Sequence, residues 1–445
     1  MQKGGVKFPY VEIRIMFKNK CSCFVLLLCL TGVVPNVTLA APCMIVTLTG
    51  TQGGPSAFGG LAGAGTLVRY GDDSDGCNAI KLQFDAGRGT SIRLSQIPVL
   101  ANQLNAIFFT HMHSDHVDGL ADLLQIRWHF NSKGPKVDIV CSDDVSAKTA
   151  TEGYSVSCRK LVAHIGDAYI QSGEIAQRRA EDSARLDGGP AAAANIMTFT
   201  PKDDVQVVWS RGDVKVSAVR STHIAGHASY RVEISAGSMV IGGDAGNDTL
   251  APPRANSTSA QVEALAKGVD IIVHSSIHPA MGPDKGSAFP APIYYRQSTA
   301  TDLGAMAQRV GAKHLMLTHI IPPLGSTQQG PYKVPGGPLT EADFREAVEA
   351  GGFGGNTVIG GDLNSVRLPG KLVFPGKAGR YIPVLALIRD HPALRFAAFT
   401  AGPNKSNSLR MNCANACGSL ITTSAPCRAI CSLNACVAAT LVSVV

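Results

Sequence analysis

Four residues within six positions, His111, His113, Asp115 and His116, hold the chemistry most readily read from this chain. They lie in the stretch IFFTHMHSDHVDGLADLLQ (107–125), at the carboxyl end of an apolar run. Residues two apart in extended backbone face the same way, so His111 and His113 can share one ion. Asp115 and His116 fall where the chain turns into a helical pattern, and they point elsewhere. That arrangement suits two adjacent metals, and imidazole with carboxylate favours zinc or a similar borderline ion. A loose surface histidine tract is the plainer alternative. It would not be expected between an apolar strand and a helix with Leu120, Leu123 and Leu124 on one face.

The elements that must position these groups are strands ending in polar residues. Met44–Thr49, Thr66–Tyr70 and Ile80–Phe84 read as strands, the last running into Asp85. Val214–Val219 leads to His223, Met239–Gly243 to Asp244, Asp270–His274 ends in a histidine, and His314–Thr318 leads to His319. The Gly-rich turn after Thr49 is expected to be a tight turn beside the metals, since a lone Gly-rich loop is weak evidence for phosphate binding. Helices are expected over Thr301–Val310 and Glu341–Glu349. Between Asn131 and Asp213 the pattern weakens, and a lid or substrate-shaping insertion is expected there. His129, His164 and His314 read as surface or packing residues.

The spacing His-x-His-x-Asp-His after a strand resembles the metallo-β-lactamase superfamily. The resemblance runs from about Met44 to about Pro369, and within the superfamily it is nearest the ribonuclease Z and arylsulfatase-like branch. It implies a four-layer αβ/βα sandwich with two Zn2+ at one edge, Mn2+ or Fe2+ being the other ions such ligands accept. One metal would take His111, His113, His223 and Asp244; the other would take Asp115, His116, His319 and the bridging Asp244. A hydroxide held between the ions would be the nucleophile. Asp85 would support a ligating histidine, with a helix-capping role as its competitor. His227 competes with His223 for its ligand role. Ribonuclease Z carries a proton-donating histidine where this chain has Gln297, and glutamine cannot act as a general acid; either His278 or His274 substitutes or leaving-group protonation is not needed, with Asp115 the other catalytic candidate.

The substrate is less determined than the metals. Only 21 residues separate His223 from Asp244, which leaves no room for the tRNA-gripping arm of many bacterial ribonucleases Z. The net charge of +7 comes from the ends, because residues 41–368 hold 27 basic and 31 acidic side chains. A core of that balance exerts no global pull on a polyanion. The expectation is therefore a small anionic ester, a phosphodiester or arylsulfate, with nucleic acid set aside and a homo-oligomer left open. β-Lactam hydrolysis is the runner-up, ribonuclease Z-type cleavage follows, and a non-enzymatic binding protein is disfavoured by the complete ligand set.

Residues 1–40 read as a signal peptide, with Lys18 and Lys20 before the apolar run and Met16 as an alternative start. An exported, periplasmic protein is expected, with no membrane contact after cleavage. Of twelve cysteines, Cys43, Cys77, Cys141 and Cys158 fall in the hydrolase domain at 41–368, where an oxidising compartment would allow disulfides of undetermined pairing. Residues 369–445 are poor in acids and rich in Ala, Ser and Cys. They read as a cysteine-stapled appendage, a disordered tail or a displaced reading frame.

Overall fold

Runs of apolar residues flanked by turn formers build two sheets that face each other. The computed structural model describes residues 41–149 and 151–369, together with the backbone of 371–373. The expected leader and the tail from residue 374 onward lie outside the described residues. The first sheet runs, edge to edge, Lys371–Val373, Ser365–Leu368, Pro42–Gly50, Gly65–Asp72, Ile80–Phe84, Ala106–Phe108, Val137–Ser142 and Ala194–Phe199. The second runs Asn356–Ile359, His314–Ile321, Ile271–Ile277, Gly237–Ile241, Ala228–Ile234, Val214–Arg220 and Gln206–Arg211.

The core between the sheets is formed by alternate residues of both, among them Met44, Val46, Phe84 and Phe108 against Tyr230, Val232 and Val273. Phe84 and Phe108 stack at 4.5 Å, and the Tyr230 ring meets both at 5.6 Å. The outer faces carry the helices. Leu120, Leu123 and Leu124 of helix Leu120–Asn131 pack on the first sheet, and helices Ala300–Val310 and Glu341–Ala350 pack on the second. Every residue of Ile271–Ile277 is buried, as expected of a parallel strand covered on both faces. The layers are thus helix, sheet, sheet, helix, as the resemblance implies.

Two expectations are corrected here, and one open question is answered. The domain does not stop at 368, because Lys371–Val373 pairs antiparallel with Ser365–Leu368 and extends the sheet by one strand. The insertion at 131–213 forms a hairpin, Val145–Lys148 with Gly153–Val156, and three helices, Cys158–Gln171, Glu174–Glu181 and Gly189–Ala192. It walls a groove beside His223 and supplies none of the lining of the metal cleft. The four cysteines pair as Cys43–Cys77 and Cys141–Cys158, which sequence left open.

Candidate metal centre

Asp85 organises the site from beneath. It follows the strand Ile80–Phe84 at φ 53°, and its buried carboxylate takes three donors. The Thr110 N–H donates to Oδ1 at 2.8 Å, and the Thr110 hydroxyl donates to Oδ2 at 2.9 Å. His116 Nδ1 donates to Oδ2 at 2.9 Å. Asp85 therefore caps no helix; it fixes the His116 tautomer and leaves Nε2 as a bare lone pair without a hydrogen-bond partner. Because the Thr110 hydroxyl proton goes to Asp85, its oxygen accepts from His111 Nδ1 at 3.0 Å. His111 Nε2 is bare for the same reason.

Three ring nitrogens converge, and with the His111 and His223 tautomers set by Thr110 and Arg296 O, two of them present lone pairs toward the third. His111 Nε2 lies 2.9 Å from His113 Nδ1, and His223 Nε2 lies 3.3 Å from that same atom. His223 points its other nitrogen at Arg296 O, 3.4 Å away. Facing lone pairs repel unless a cation joins them, so the donor set itself fits a metal ion. A second group forms beside it from Asp115, His116 and His319, with His319 Nε2 3.0 Å from Asp115 Oδ2. Asp244 stands between the two. Its Oδ2 is 3.2 Å from His319 Nε2, 3.5 Å from His116 Nε2 and 3.6 Å from His223 Nε2.

The electrostatics divide along the same line. Burial drives His111 well below the ordinary imidazole value, and lowers His223 to about 3, which keeps both neutral as ligands must be. Burial also opposes charge on His116 and His319, but the Asp244 carboxylate, aided by Asp85 for the former and Asp115 for the latter, raises both. Burial would raise Asp115 and Asp244. The His319 hydrogen bond with neighbouring imidazoles for Asp115, and His319 with His116 for Asp244, hold both below the usual carboxylate range. This corner of the site is built for positive charge.

His227 leaves the competition. Its Nε2 accepts the Asp244 N–H at 3.2 Å, and its Nδ1 donates to Ser221 Oγ at 2.8 Å. Both nitrogens are spent on holding the Asp244 turn. His274 and His278 are corrected as catalytic candidates, for neither lines the cleft. His274 is wholly buried, with Nδ1 on Ser275 O at 2.8 Å. His278 caps a short helical turn through the Ala280 N–H and packs edge-on against Phe344. His129 lies against Phe130 and His164 is exposed, as their readings anticipated, whereas His314, expected to be exposed at its strand start, is partly buried and bonds Asn356.

The centre opens into a cleft of about 400 Å³. His113, Asp115, His223, Asp244 and His319 form its floor, and Phe289, Ile293, Ile321 and Tyr332 give it apolar walls. Arg296 and Gln297 complete the rim. Sequence reasoning missed Arg296; the one available signal was a cation directly before the Gln297-Ser298-Thr299 turn. It also missed Asp362, which accepts from Thr51 Oγ1, Ala62 N–H and Arg93 Nε at 2.7–2.8 Å and ties the loop after Pro42–Gly50 to the turn before Ser365–Leu368.

The family model described as "Beta-lactamase superfamily domain" matches residues 83–320. Among curated proteins, Ribonuclease Z of Mycobacterium sp. (strain KMS) is 28% identical over 339 residues, covering 74% of this chain and 98% of the relative. Ribonuclease Z of Mycobacterium bovis (strain BCG / Pasteur 1173P2) is 25% identical over 331 residues, covering 73% and 98%. Among solved structures, the short form of human tRNase Z aligns with TM-score 0.45 at 17% identity, covering 72% of this chain and 98% of that one. The metallo-β-lactamase fold protein YhfI from Bacillus subtilis aligns with TM-score 0.46 at 16% identity, covering 73% and 99%. Matched by the family model over more than half its length, this chain belongs to the β-lactamase superfamily and, with its ribonuclease Z relatives, is a metal-dependent hydrolase.

Proposed function

We propose that this chain hydrolyses phosphodiesters at a two-metal centre, with His111, His113 and His223 holding one ion, Asp115, His116 and His319 the other, and Asp244 shared. The observation that carries this is the position of Asp244 Oδ2, within 3.6 Å of a ligating nitrogen from each group. Bound divalent ions would supply an acidified water as nucleophile and offset charge growing at phosphorus. The residues do the rest. Asp85 and Thr110 lock the tautomers of His116 and His111, His227 fixes the Asp244 turn, and the apolar walls seat the organic part of the diester.

The relatives named Ribonuclease Z support RNA as a substrate, against the expectation of a small ester with nucleic acid set aside. The overall charge that motivated that expectation is a weak guide, because local field governs binding at a cleft. A small diester remains the second candidate, favoured by the apolar walls. We place the protein in an oxidising compartment, a reading supported by the disulfides Cys43–Cys77 and Cys141–Cys158.

The test is native metal analysis of purified protein, followed by assay on an RNA with a 3′ extension, bis-p-nitrophenyl phosphate, p-nitrophenyl sulfate and nitrocefin. About two ions per chain and turnover confined to phosphodiesters are expected. Turnover of nitrocefin or the sulfate alone would replace this reading.

A further inference from the structure

The rim of the cleft carries a cation that the metal centre does not use. Arg296 is half-buried, and among the described residues its guanidinium has no acidic partner within ion-pair distance. Its buried Nε has no hydrogen-bond partner. Gln297 beside it is 4% exposed, and its Oε1 is likewise buried without a partner. Two polar side chains facing a cleft and satisfied by nothing in the protein point to a ligand, since buried polar groups are otherwise bonded.

The segment holding them is fixed. Arg254 donates to Tyr295 O at 2.6 Å and lies over the Tyr295 ring at 5.3 Å. Ser298 Oγ donates to Ala245 O at 2.7 Å. Gly246 lets the backbone of Arg296 close on the metal loops, as a Cβ there would stand 2.6 Å from Arg296 O. The same segment contributes Phe289 and Ile293, so the cation sits at the edge of an apolar wall. Apart from residues of the metal groups, the lining holds no histidine and no carboxylate; its one other phenolic group is Tyr332, which packs on Phe289 at 5.2 Å.

We infer that Arg296 and Gln297 receive the leaving group of a phosphodiester: the guanidinium neutralises charge on the departing oxygen, the amide donates to it through Nε2–H and not through Oε1, which only accepts, and neither gives it a proton. This rests on the phosphodiester reading. In the step, a water oxygen bonds to phosphorus and its proton passes to solvent. The bond from phosphorus to the leaving oxygen breaks with both electrons on that oxygen, which takes a proton from bulk water afterwards. Arginine stays protonated at working pH, and an amide has no acidic proton to transfer. Departure then depends on the acidity of the leaving alcohol. Among phosphodiesters that reach the site, one with an aryl leaving group, seated against Phe289 and Ile293, is cleaved faster than RNA, which expels an alkoxide, whichever of the two is the natural substrate.

The experiment uses the metal-loaded full chain with methyl aryl phosphates of graded phenol acidity, and an RNA dinucleotide as the alkoxide. Wild type should show a steep fall in kcat/KM as the phenol becomes less acidic. Arg296→Ala should lower kcat/KM by about 10²-fold and steepen the dependence, as loss of a charge-stabilising donor does. Arg296→Lys should recover part of it. Gln297→His should flatten the dependence, raise RNA cleavage by about 10²-fold and add a loss of rate at high pH, as a true proton donor would. Tyr332→Phe should leave the dependence unchanged. As a readout apart from turnover, calorimetry with phenylphosphonate should show binding weakened about tenfold in Arg296→Ala, in line with loss of one charged hydrogen bond. A flat dependence in wild type, a steeper one in Tyr332→Phe, or unchanged phenylphosphonate affinity in Arg296→Ala overturns the inference while leaving phosphodiester hydrolysis standing. Absence of turnover on every diester with two ions bound overturns both.

Discussion

Asp244 is the side chain on which the two halves of the centre depend, since His116, His223 and His319 all face its Oδ2. Asp244→Asn keeps the shape and removes the charge that would sit between two cations. At least one ion should be lost, with activity falling by more than the roughly tenfold to hundredfold typical of supporting residues. Asp248 is the matched control: it is about half exposed and bonds Thr222 and Gln261 on the surface. Asp248→Ala should keep full metal content by plasma emission analysis. A second prediction concerns His274, whose imidazole burial lowers to about 4. Its unfolded value is near 6.5, so the unfolded chain takes up the proton first as pH falls. Stability tied to His274 is whole above that value and is lost progressively between about 6.5 and 4, by up to about 3 kcal/mol. His274→Asn can still donate to Ser275 O but does not titrate. In urea titrations with chelator present, the variant should be less stable than wild type at pH 8 and lose less between pH 7 and 4.5.

At the scale of elements, close backbone approach holds the ligand loop. A Cβ on Gly87 would stand 2.2 Å from Asp115 O and 2.4 Å from the carbonyl carbon of Gly63. Gly87→Ala must therefore displace the Ser114–Val117 turn that carries Asp115 and His116. Occupancy of the second metal should fall while the first, held by His111, His113 and His223, persists; stepwise chelator titration would resolve the two. The disulfide Cys141–Cys158 spans 17 residues and ties the hairpin Val145–Val156 between strand Val137–Ser142 and helix Cys158–Gln171. A closed loop of that length contributes about 3 kcal/mol in the chain-entropy account. Replacing both cysteines by serine should lower the urea midpoint accordingly, without loss of metal, because the hairpin borders the neighbouring groove and not the cleft.

For the whole molecule, the first sheet closes with residues from both ends of the described chain. Pro42–Gly50 pairs with Ser365–Leu368, which in turn pairs with Lys371–Val373. A chain ended at Arg380, which keeps every described residue, should keep the melting temperature and metal content of the full chain. A chain ended at Asn364 strips two strands from the sheet and bares Met44, Val46 and Leu48. It should be insoluble or melt far lower, as measured by calorimetry.

The sequence by itself determined the His111–His116 cluster and the strands that lead to Asp85, His223, Asp244 and His319, while the layered αβ/βα class followed from the family resemblance those motifs carry. These are local properties: alternation along a strand decides which way a side chain points, and a turn formed within a few residues decides where the chain goes next. Only the tertiary structure decided which of those ends meet. His223 and His227 are four residues apart and alike in type, and the choice between them rests on an Asp244 N–H brought in from another strand. Asp85 could cap a helix or orient a histidine until Thr110 and His116 packed onto its carboxylate. His274 and His319 were both read as ending strands, yet both strands run on, to Ile277 and Ile321, and the register of the second sheet turns the His274 ring away from the cleft and toward Gly242. Arg296, some fifty residues beyond Asp244 in the chain, joins the site because Gly246 and Ser298 let two loops touch. Such meetings depend on sheet register and on contacts distant in sequence, which no local pattern records.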